Sequence, residues 1–578
     1  MFDERTLTLS KQLAARWEQD YRRMVDRFGE AAPSRATDAH THSGIPTKPC
    51  FFPHDVDDQG LEAIGAPGSY PFTRGNLAAQ YQLMAWANQP VIGYGLPEQT
   101  RQRMDLLARQ GMVGYFGQHF YNLVYDLVSH EGLDPDHPAA HGRIGQSGMA
   151  VYSVRDMERL FDGLDLTKMN VVHITYYQVI PALAQYIAYA ERRGVDQSEL
   201  RGNSMNWYHQ SAYVGMSAFP PRNGLKLAVE LVSYCSKHMP RWNTTNFFGY
   251  GIEEAGGTAL QEIGFMLAYG IELVRACVSA GLKADDVLPR FGFQFAQAND
   301  FFEEIAKIRA MRRIWAETMH SRFGAEDPRS MHVRIHTHTS GAVLTAQQPL
   351  VNLIRSTIHS LGAVLAATQA MEVSAYDEAL AIPTEEAATL ALRIQQVIQE
   401  ETNVLNVSDP LAGSYFVEWL TARVGAEALK LVTEIETQGG YTAAQESGWI
   451  RDRVEDVAER WREDVNSGRR RIVGLNCYTV PDEPDPQVFT VAEDIEAIAI
   501  GRLRQLRADR DPIRFDAAIN RFRERAHQFA EMDISGLGQS QLIEAAIDAA
   551  RADATTGEMM GVLKDELGWA APHERIGH

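Results

Sequence analysis

The sequence predicts an α/β protein built on a (β/α)8 TIM barrel, with an N-terminal helical arm and strap before it and a helical region after it. Three observations predict this fold. β-capable runs alternate with helical stretches of roughly 10 to 20 residues, as in parallel βα units. The alternation extends from residue 70 to 418, which is long enough for eight units with insertions. Two successive runs, MHVRIHT and the one ending at Thr368-Gln369, finish in polar residues, as barrel strands do at an active site.

The first element is a helical arm. Apolar residues recur at helical spacing from Leu7 to Phe28, and Gly29 then ends the pattern. Residues 31–69 are rich in Pro, Gly, Asp and Ser, which predicts an extended strap. We therefore treat residues 1–69 as an arm and strap that precede the barrel domain.

The barrel domain is predicted to span residues 70–418. Predicted strands are VVHIT (171–175), NTTNFFGYG (243–251), PRFGFQFA (289–296) and MHVRIHTH (331–338). Amphipathic stretches such as LKLAVELVSYCSKH separate them and predict helices. Residues 419–578 form the third region, which is helical apart from a short β-capable run at 469–480.

Composition narrows the class of protein. The 578 residues are 45% hydrophobic and 22% charged, as in ordinary globular proteins. The net charge of −20 argues against a nucleic-acid partner. The four cysteines form no CxxC pair, so we predict a reducing, cytoplasmic compartment. No apolar run reaches the ~18 residues needed to cross a membrane, and we predict no membrane association.

Three longer words carry a family resemblance. They are RIHTHTSG, TQAMEVSAYDEALAIPT and QEETNVLNVSDPLAGSYFVE, and SYPFTRG at the start of the barrel adds a fourth. This text resembles the substrate-binding chain of the coenzyme B12-dependent acyl-CoA mutases, the methylmalonyl-CoA mutase family. The resemblance implies a TIM barrel whose interior is a substrate tunnel. It also implies an isomerase that uses adenosylcobalamin for a radical 1,2-rearrangement of an acyl-CoA.

The resemblance also implies a partner. In the family, a flavodoxin-like domain binds cobalt through the histidine of an Asp-x-His-x-x-Gly motif, and this motif does not occur among the 578 residues. We therefore expect a large, substrate-binding subunit that binds adenosylcobalamin jointly with a separate small subunit. The expected assembly is dimeric or heterotetrameric.

The resemblance assigns site residues at matching positions. The implied cofactor-binding residues are His130 at the corrin, Glu254 at its amides, and Glu378 at the adenosyl ribose, together with Gly341 and Ala379. The implied substrate-binding residues are His336 and Gln369 along the coenzyme A chain, Arg290 and Arg329 at its nucleotide end, Val91 and Gly251. Tyr250 and His338 are the implied catalytic residues, and no metal ligand is implied.

Departures from the family pattern concentrate at the acyl group. Gly251 stands where the family has a histidine on the thioester, and His338 replaces a glutamine. Gln89, Val91 and Met84 replace the family's tyrosine wedge and arginines. Residues 202–221 contain no arginine or lysine, although the family's carboxylate-binding arginine lies there. A carboxylate buried without a cation is costly, so the sequence predicts a neutral, non-dicarboxylic acyl-CoA.

Aromatic residues accompany these departures. The longer segment 112–127 places several at the expected mouth of the site, namely Tyr115, Phe116, His119, Phe120 and Tyr121. Trp207, Tyr208 and Tyr213 could line a pocket for a larger acyl group, or they could be ordinary core.

Two other classes of protein stay open. His332, His336 and His338 share one face of a strand, as in a metal-dependent barrel hydrolase, and His40 and His42 form a further His-x-His pair. Alternatively, loss of the histidine at position 251 and of the arginines is compatible with a non-catalytic paralogue or partner subunit.

Overall fold

The computed structural model describes residues 2–29, 33, 36–56, 60–114, 118–208, 218–481 and 488–570. Within these residues the strands are short and all their ladders are parallel. They are β1 (Ala87–Asn88), β2 (Val91–Ile92), β3 (His119–Val124), β4 (Met169–Ile174), β5 (Arg201–Ser204), β6 (Trp242–Asn243), β7 (Thr245–Phe248), β8 (Phe291–Gln297), β9 (Ile335–Thr339) and β10 (Ala370–Glu372).

The strands form two five-stranded sheets, in the orders β1-β10-β9-β8-β7 and β2-β3-β4-β5-β6. The sheets share two chain segments, 87–92 and 242–248, so eight strand segments follow one another round a barrel. In the first shared segment β1 belongs to one sheet and β2 to the other, and in the second shared segment β6 and β7 are divided in the same way. Pro90 explains the first change of partner, because it has no N–H to donate to a ladder. The change in the second segment falls at Thr244, whose N–H bonds to Arg290 O at 3.2 Å.

Helices follow the strands and cover the barrel. The helices are α1 (Glu4–Phe28), α2 (Gly60–Ile64), α3 (Pro97–Arg109), α4 (Leu127–His130), α5 (Val154–Leu160), α6 (Val179–Arg192), α7 (Pro221–His238), α8 (Tyr250–Glu254), α9 (Ala259–Ser279), α10 (Ala284–Val287), α11 (Phe301–Phe323), α12 (Val351–Leu365), α13 (Glu385–Glu401), α14 (Tyr415–Thr437), α15 (Tyr441–Glu446), α16 (Trp449–Asn466), α17 (Ile495–Asp509), α18 (Pro512–Glu531), α19 (Leu542–Arg551) and α20 (Thr556–Leu567). The predicted (β/α)8 class is confirmed. The boundaries placed after residues 69 and 418 stay predictions.

The arm begins and ends as its sequence dictates. The side chain of Asp3 accepts a hydrogen bond from Thr6 N and caps α1, and Gly29 ends the helix at φ 54°.

The strap is attached at the start of α11, where His42 N donates to Asp300 Oδ2 at 2.7 Å. The guanidinium of Arg470, far along the chain, donates to His42 Nδ1 at 2.8 Å. His42 is therefore held by hydrogen bonds that attach the strap.

A buried ion pair attaches the helical region to the barrel. Arg309 on α11 donates two hydrogen bonds to Glu418 on α14, at 2.8 and 2.9 Å, and one to Asp409 at 2.6 Å. Breaking such a buried pair by removing one partner leaves an uncompensated charge, at a cost of about 3–5 kcal/mol. This contact fixes α14 against the barrel wall.

Three local predictions need correction. β9 begins at Ile335 instead of 331, because a 3-10 turn at Pro328–Ser330 precedes it. The strand predicted at 243–251 ends at Phe248, and α8 starts at Tyr250. The β-capable run at 469–480 forms a loop with a single bridge between Val473 and Cys477.

All four cysteines are free thiols. Among the described residues, no helix alone has the length and apolarity to cross a membrane. Ala259–Ser279 and Ala284–Arg290 meet that test only as a pair, and the two are bent by 112°.

Candidate active site

A cavity of about 1180 Å³ occupies the interior of the barrel. Barrel interiors are usually filled by layers of bulky branched side chains. Here the lining includes a series of side-chain amides, which are shorter and polar: Gln89, Gln118, Asn170, Asn203, Asn243 and Asn246. The volume lies above the range of about 300–1,000 Å³ that is common for small-molecule sites. The barrel is therefore hollow, and these amides stand among the apolar side chains that line it.

Four arginines line the cavity at the amino ends of the strands: Arg201, Arg290, Arg329 and Arg334. Burial lowers the pKa of Arg290, and the charges of Arg329 and Arg201 lower it further. Arg329 is exposed and bonds Asp327 at 2.6 Å, while Arg334 donates to Asn243 Oδ1 at 2.5 Å. The structure thus brings the predicted pair Arg290 and Arg329 together. Sequence reasoning missed Arg201 and Arg334, although each stands at the start of a strand.

Two predicted residues lie farther along the cavity. His336 is buried, and within the described residues neither of its ring nitrogens has a hydrogen-bond partner. Burial lowers its pKa to about 4, so the imidazole is neutral at pH 7. Gln369 also lines the cavity, and its Oε1 accepts a hydrogen bond from Ile335 N at 2.6 Å. His336 therefore presents unused hydrogen-bonding capacity inside the barrel.

His338 and Tyr250 form a stacked pair. His338 lies two residues beyond His336 on the same face of β9, and its ring is parallel to that of Tyr250 within 5°, with centroids 4.1 Å apart. Burial, followed by the effect of His336, holds the pKa of His338 well below its ordinary value. Burial and the charges of Glu254 and Glu378 raise the pKa of Tyr250. Both rings are consequently neutral at pH 7.

Two carboxylates face one another across Gly341. Glu254 accepts hydrogen bonds from Ser340 Oγ at 2.5 Å and from Ala342 N at 3.0 Å. Glu378 accepts one from Ala375 N at 3.1 Å. A Cβ atom on Gly341 would lie 2.9 Å from Glu378 Oε1 and 3.3 Å from Glu254 Oε2, so this position has no room for a larger residue. Ala379, predicted to belong to the same group, is exposed.

The pKa values of these two carboxyl groups are both raised. Burial raises the pKa of Glu378 to about 7, and the neighbouring charge of Glu254 adds to the shift. Burial also raises the pKa of Glu254, against the effect of its hydrogen bonds. A group that donates hydrogen bonds between them would stabilise their charged forms.

His130 is buried at the end of α4. Its Nε2 donates to Ile174 O at 3.0 Å, and its ring lies 4.5 Å from that of Tyr176. Burial lowers its pKa to about 4. Nδ1 has no hydrogen-bond partner among the described residues, so a lone pair remains available there.

An aromatic ring takes the space beside Gly251. Any Cβ atom at position 251 would lie 2.2 Å from the ring of Phe248, and that ring stacks on Trp207 with centroids 3.8 Å apart. The glycine is therefore required by the packing of Phe248. Trp207 belongs to this aromatic face, whereas the hydroxyl of Tyr208 accepts a hydrogen bond from Ile180 N in the helical core.

Glu372 was not predicted and belongs to the same interior. It follows Ala370, which lines the cavity, at the spacing of one strand face, and it is in register with His338 on β9. Burial and then Glu378 raise its pKa well above the ordinary value, while a hydrogen bond from Val91 N opposes the shift. The alternation Ala370, Glu372 in TQAMEV is the signal that locates it.

Several sequence predictions concern other positions. Tyr115, Phe116, His209, Tyr213 and the segment around Val214 lie outside the described residues. Met84 and Phe120 line the cavity, whereas His119 is exposed and Tyr121 is buried in the core. Arg222, which could have supplied a cation to the acyl group, is exposed and bonds Glu446 at 2.9 Å instead.

The described residues do not favour the hydrolase alternative. His332 packs edge-on against Phe72 at 4.6 Å. Among the described residues, the one group of three ligand-type side chains close enough to share an ion is Glu253, Glu262 and Glu304. The ammonium of Lys307 bonds all three and occupies their centre.

The barrel is hollow, with four arginines at the amino ends of its strands and the carboxyl groups of Glu254 and Glu378 at the other end. This arrangement matches a known class of isomerase. Residues 40–569 match the family model described as methylmalonyl-CoA mutase. The chain belongs to the methylmalonyl-CoA mutase family, whose members are intramolecular transferases, and the family predicted from sequence is confirmed.

Curated relatives give the same result. The chain is 34% identical to the 2-hydroxyisobutanoyl-CoA mutase large subunit of Aquincola tertiaricarbonis, over 93% of this chain and 94% of that protein. It is 35% identical to the methylmalonyl-CoA mutase of Escherichia coli (strain K12), over 91% of this chain and 71% of that protein. The chain is also 36% identical to the methylmalonyl-CoA mutase of Cereibacter sphaeroides, over 92% of this chain and 72% of that protein.

Proposed function

We propose that this chain is the large, substrate-binding subunit of an adenosylcobalamin-dependent mutase that rearranges an uncharged, non-dicarboxylic acyl-CoA. The observation that carries the proposal is the amide-lined cavity, which leads from the four arginines to His336. An acyl-CoA has the matching order of groups: phosphates, then a pantetheine chain with two amides, then a thioester.

In this proposal the arginine mouth binds the phosphates of coenzyme A. Guanidinium groups suit phosphate oxygens because they can donate two hydrogen bonds in one plane. The side-chain amides along the cavity can donate to, and accept from, the pantetheine amides. The thioester then lies near His336 and His338, whose neutral rings can donate a hydrogen bond to its carbonyl oxygen.

The groups at the upper end fit adenosylcobalamin. The carboxyl groups of Glu254 and Glu378 are acceptors for ribose hydroxyls and corrin amide N–H groups, and burial raises the pKa of both. Nδ1 of His130 offers a further acceptor. When bound, adenosylcobalamin supplies the homolytic chemistry that starts the rearrangement. The chain's own contribution is to orient the acyl group and to exclude water.

The surroundings of the acyl group support an uncharged substrate. Phe248 and Trp207 form an aromatic face where the family has a histidine, and Arg222 points to Glu446. The groups that set the pKa of Glu372 include another carboxyl group and no cation. A substrate carboxylate placed here would be desolvated beside like charges, which is strongly unfavourable.

A small cobalamin-binding subunit completes the proposed enzyme. The support is that four of the curated relatives are named as large subunits. We propose that this partner covers the carboxyl ends of the strands, where Glu254 and Glu378 lie.

The test is a calorimetric titration of the purified chain with isobutyryl-CoA and methylmalonyl-CoA, with free coenzyme A as reference. We expect isobutyryl-CoA to bind at least about 100-fold more tightly than methylmalonyl-CoA, because a buried, unpaired carboxylate costs about 3–5 kcal/mol. Tighter binding of methylmalonyl-CoA would contradict the uncharged substrate. Failure of all three compounds to bind would contradict the acyl-CoA site itself.

A further inference from the structure

Glu372 stands between two residues that the proposed function places at the acyl group. Its carboxyl group accepts a hydrogen bond from Val91 N on one side, and its Cα is in register with that of His338 on the other. The residue is 7% exposed. Glu372 therefore lies between the proposed substrate-binding residues of the cavity and the carboxylates of Glu254 and Glu378, at the carboxyl ends of the strands.

One oxygen of this carboxyl group is not satisfied by the protein. Oε2 has no hydrogen-bond partner among the described residues. Buried polar atoms without partners are rare and cost about 1–3 kcal/mol each, so an unpartnered oxygen on the strand face that continues from the cavity residue Ala370 points to a ligand group. The backbone N–H of Val91 donates to the carboxyl group from the other side.

The environment of this carboxyl group favours its protonated form, because its pKa is raised well above the ordinary value. Burial is the main cause of its raised pKa, and the like charge of Glu378 is the second. A protonated carboxyl group is a strong hydrogen-bond donor as well as an acceptor. The site thus offers a hydrogen-bond donor in register with His338.

We propose that Glu372 determines substrate specificity by donating a hydrogen bond to a hydroxyl group on the acyl chain, and so selects hydroxyacyl-CoA substrates. This inference rests on the proposed function and names its substrate class. The thioester oxygen already has His338, which is in register with Glu372, and His336 two residues before it, so the additional donor serves a second oxygen. A hydroxyl group suits it, because a carboxylate would meet Glu378 and Glu254.

The experiment compares the affinities of the purified chain for 2-hydroxyisobutyryl-CoA and isobutyryl-CoA, which differ in the hydroxyl group alone. We expect the wild-type chain to prefer the hydroxylated compound by about tenfold, the effect of one buried hydrogen bond. Glu372→Gln keeps a neutral donor of the same size and should keep most of the preference. Glu372→Met and Glu372→Ala remove the donor and should bind the two compounds equally, within about twofold.

Glu230→Gln is the matched control. Glu230 is also buried and has a raised pKa of about 7, but it lies on α7, accepts a hydrogen bond from Ser540 and is not among the residues that line the barrel cavity. This variant should keep the wild-type preference. If it loses the preference, the effect comes from changing any buried carboxyl group, and the inference is wrong.

The outcomes separate the two proposals. If neither acyl-CoA binds the wild-type chain, the proposed function fails. If both bind the wild-type chain equally well, or if the Met and Ala variants keep the preference, acyl-CoA binding stands and the role of Glu372 is wrong. If these variants weaken both compounds by the same factor, Glu372 contacts a group common to both, which also overturns hydroxyl selection. Circular dichroism identifies any variant that does not fold. In that case the affinities of the wild-type chain for the two acyl-CoA compounds still test the preference for the hydroxylated one.

Discussion

The imidazole of His338 lies flat on the phenol ring of Tyr250, with 4.1 Å between the ring centroids and 5° between the planes. Stacking against a buried ring restricts the imidazole to one orientation. The same burial keeps it uncharged, since it holds the pKa of His338 well below the ordinary value. The pair is therefore a fixed, neutral surface at the end of the cavity.

Neutral histidines inside the barrel can be observed directly. We expect His336 and His338 to show no protonation step between about pH 5.5 and 8 in 15N-resolved NMR spectra, because burial lowers both pKa values. His141 is the internal control, since its exposed ring is hydrogen-bonded by Glu496, which raises its pKa. A midpoint above pH 6 for His336 would show that its environment is wetter than described.

Arg290→Ala should weaken binding of acyl-CoA by about ten- to 100-fold, the effect of losing a charge-assisted hydrogen bond to phosphate. The corresponding acyl-pantetheine lacks the nucleotide, so its affinity should not change. Arg222→Ala removes an exposed arginine that bonds Glu446, and it should leave both affinities as they are. Equal losses for acyl-CoA and acyl-pantetheine would place Arg290 away from the phosphates. Calorimetry measures all three.

Gly251→Ala should lower the free energy of unfolding by about 1–3 kcal/mol, because the new Cβ would lie 2.2 Å from the ring of Phe248. In the double variant Gly251→Ala, Phe248→Ala the steric cost should disappear, so the two changes are not additive. Urea denaturation gives these values.

Gly425→Ala provides the control for this substitution. A Cβ atom there would meet its nearest neighbours at 3.4 and 3.6 Å, which is an ordinary contact, and alanine favours the helix. This variant should be as stable as the wild type or more so. If Gly251→Ala also left the free energy of unfolding unchanged, the ring of Phe248 would be free to move, and its packing would not require a glycine at position 251.

Glu378→Gln should change how stability depends on pH. In the folded chain the pKa of Glu378 is about 7, against 4.5 for the free side chain, chiefly because of burial. Between these two pH values the folded state holds a proton that the unfolded state has lost, so this group makes stability fall as pH rises. The glutamine variant lacks this contribution. Relative to the variant, the wild type should lose about 3 kcal/mol between pH 4.5 and 7.

Glu558→Gln gives the opposite sign and serves as the contrast. Burial would raise the pKa of Glu558, but hydrogen bonds from Arg510 and Thr555 outweigh it and lower the pKa. The charged form is therefore favoured in the folded state, and this variant should lose stability relative to the wild type as pH rises through the range where carboxyl groups ionise. The same direction for Glu378→Gln and Glu558→Gln would contradict the raised pKa of Glu378.

Sequence reasoning predicted the barrel well because hydrophobic periodicity is a local signal. The helix from Glu4 to Phe28 and the strand at 169–174 follow directly from it. Strand ends were less well predicted, since the turn before β9 and the start of α8 depend on contacts with neighbouring segments. The family words located Glu254, Gly341 and Glu378, which do lie together.

What the sequence could not show is how side chains from distant segments combine. The aromatic contact between Trp207 and Phe248 explains Gly251, but the two residues belong to different βα units. Arg201 and Arg334 join Arg290 only because the amino ends of parallel strands meet. Glu372 escaped notice because a single glutamate in a short strand is usually a surface residue.

The hydrogen bond between Arg470 and His42 joins residues 428 positions apart. The strap leaves the ribosome before the barrel strands, yet this contact cannot form until 428 further residues have been made. Its bond to Asp300 likewise waits for 258 further residues. Because contacts of such long sequence separation close late, the strap is attached to the rest of the chain long after it has been synthesised. In a nascent chain halted before residue 470, the strap therefore lacks its hydrogen bond from Arg470. We expect proteases to cleave such a chain first within residues 39–47.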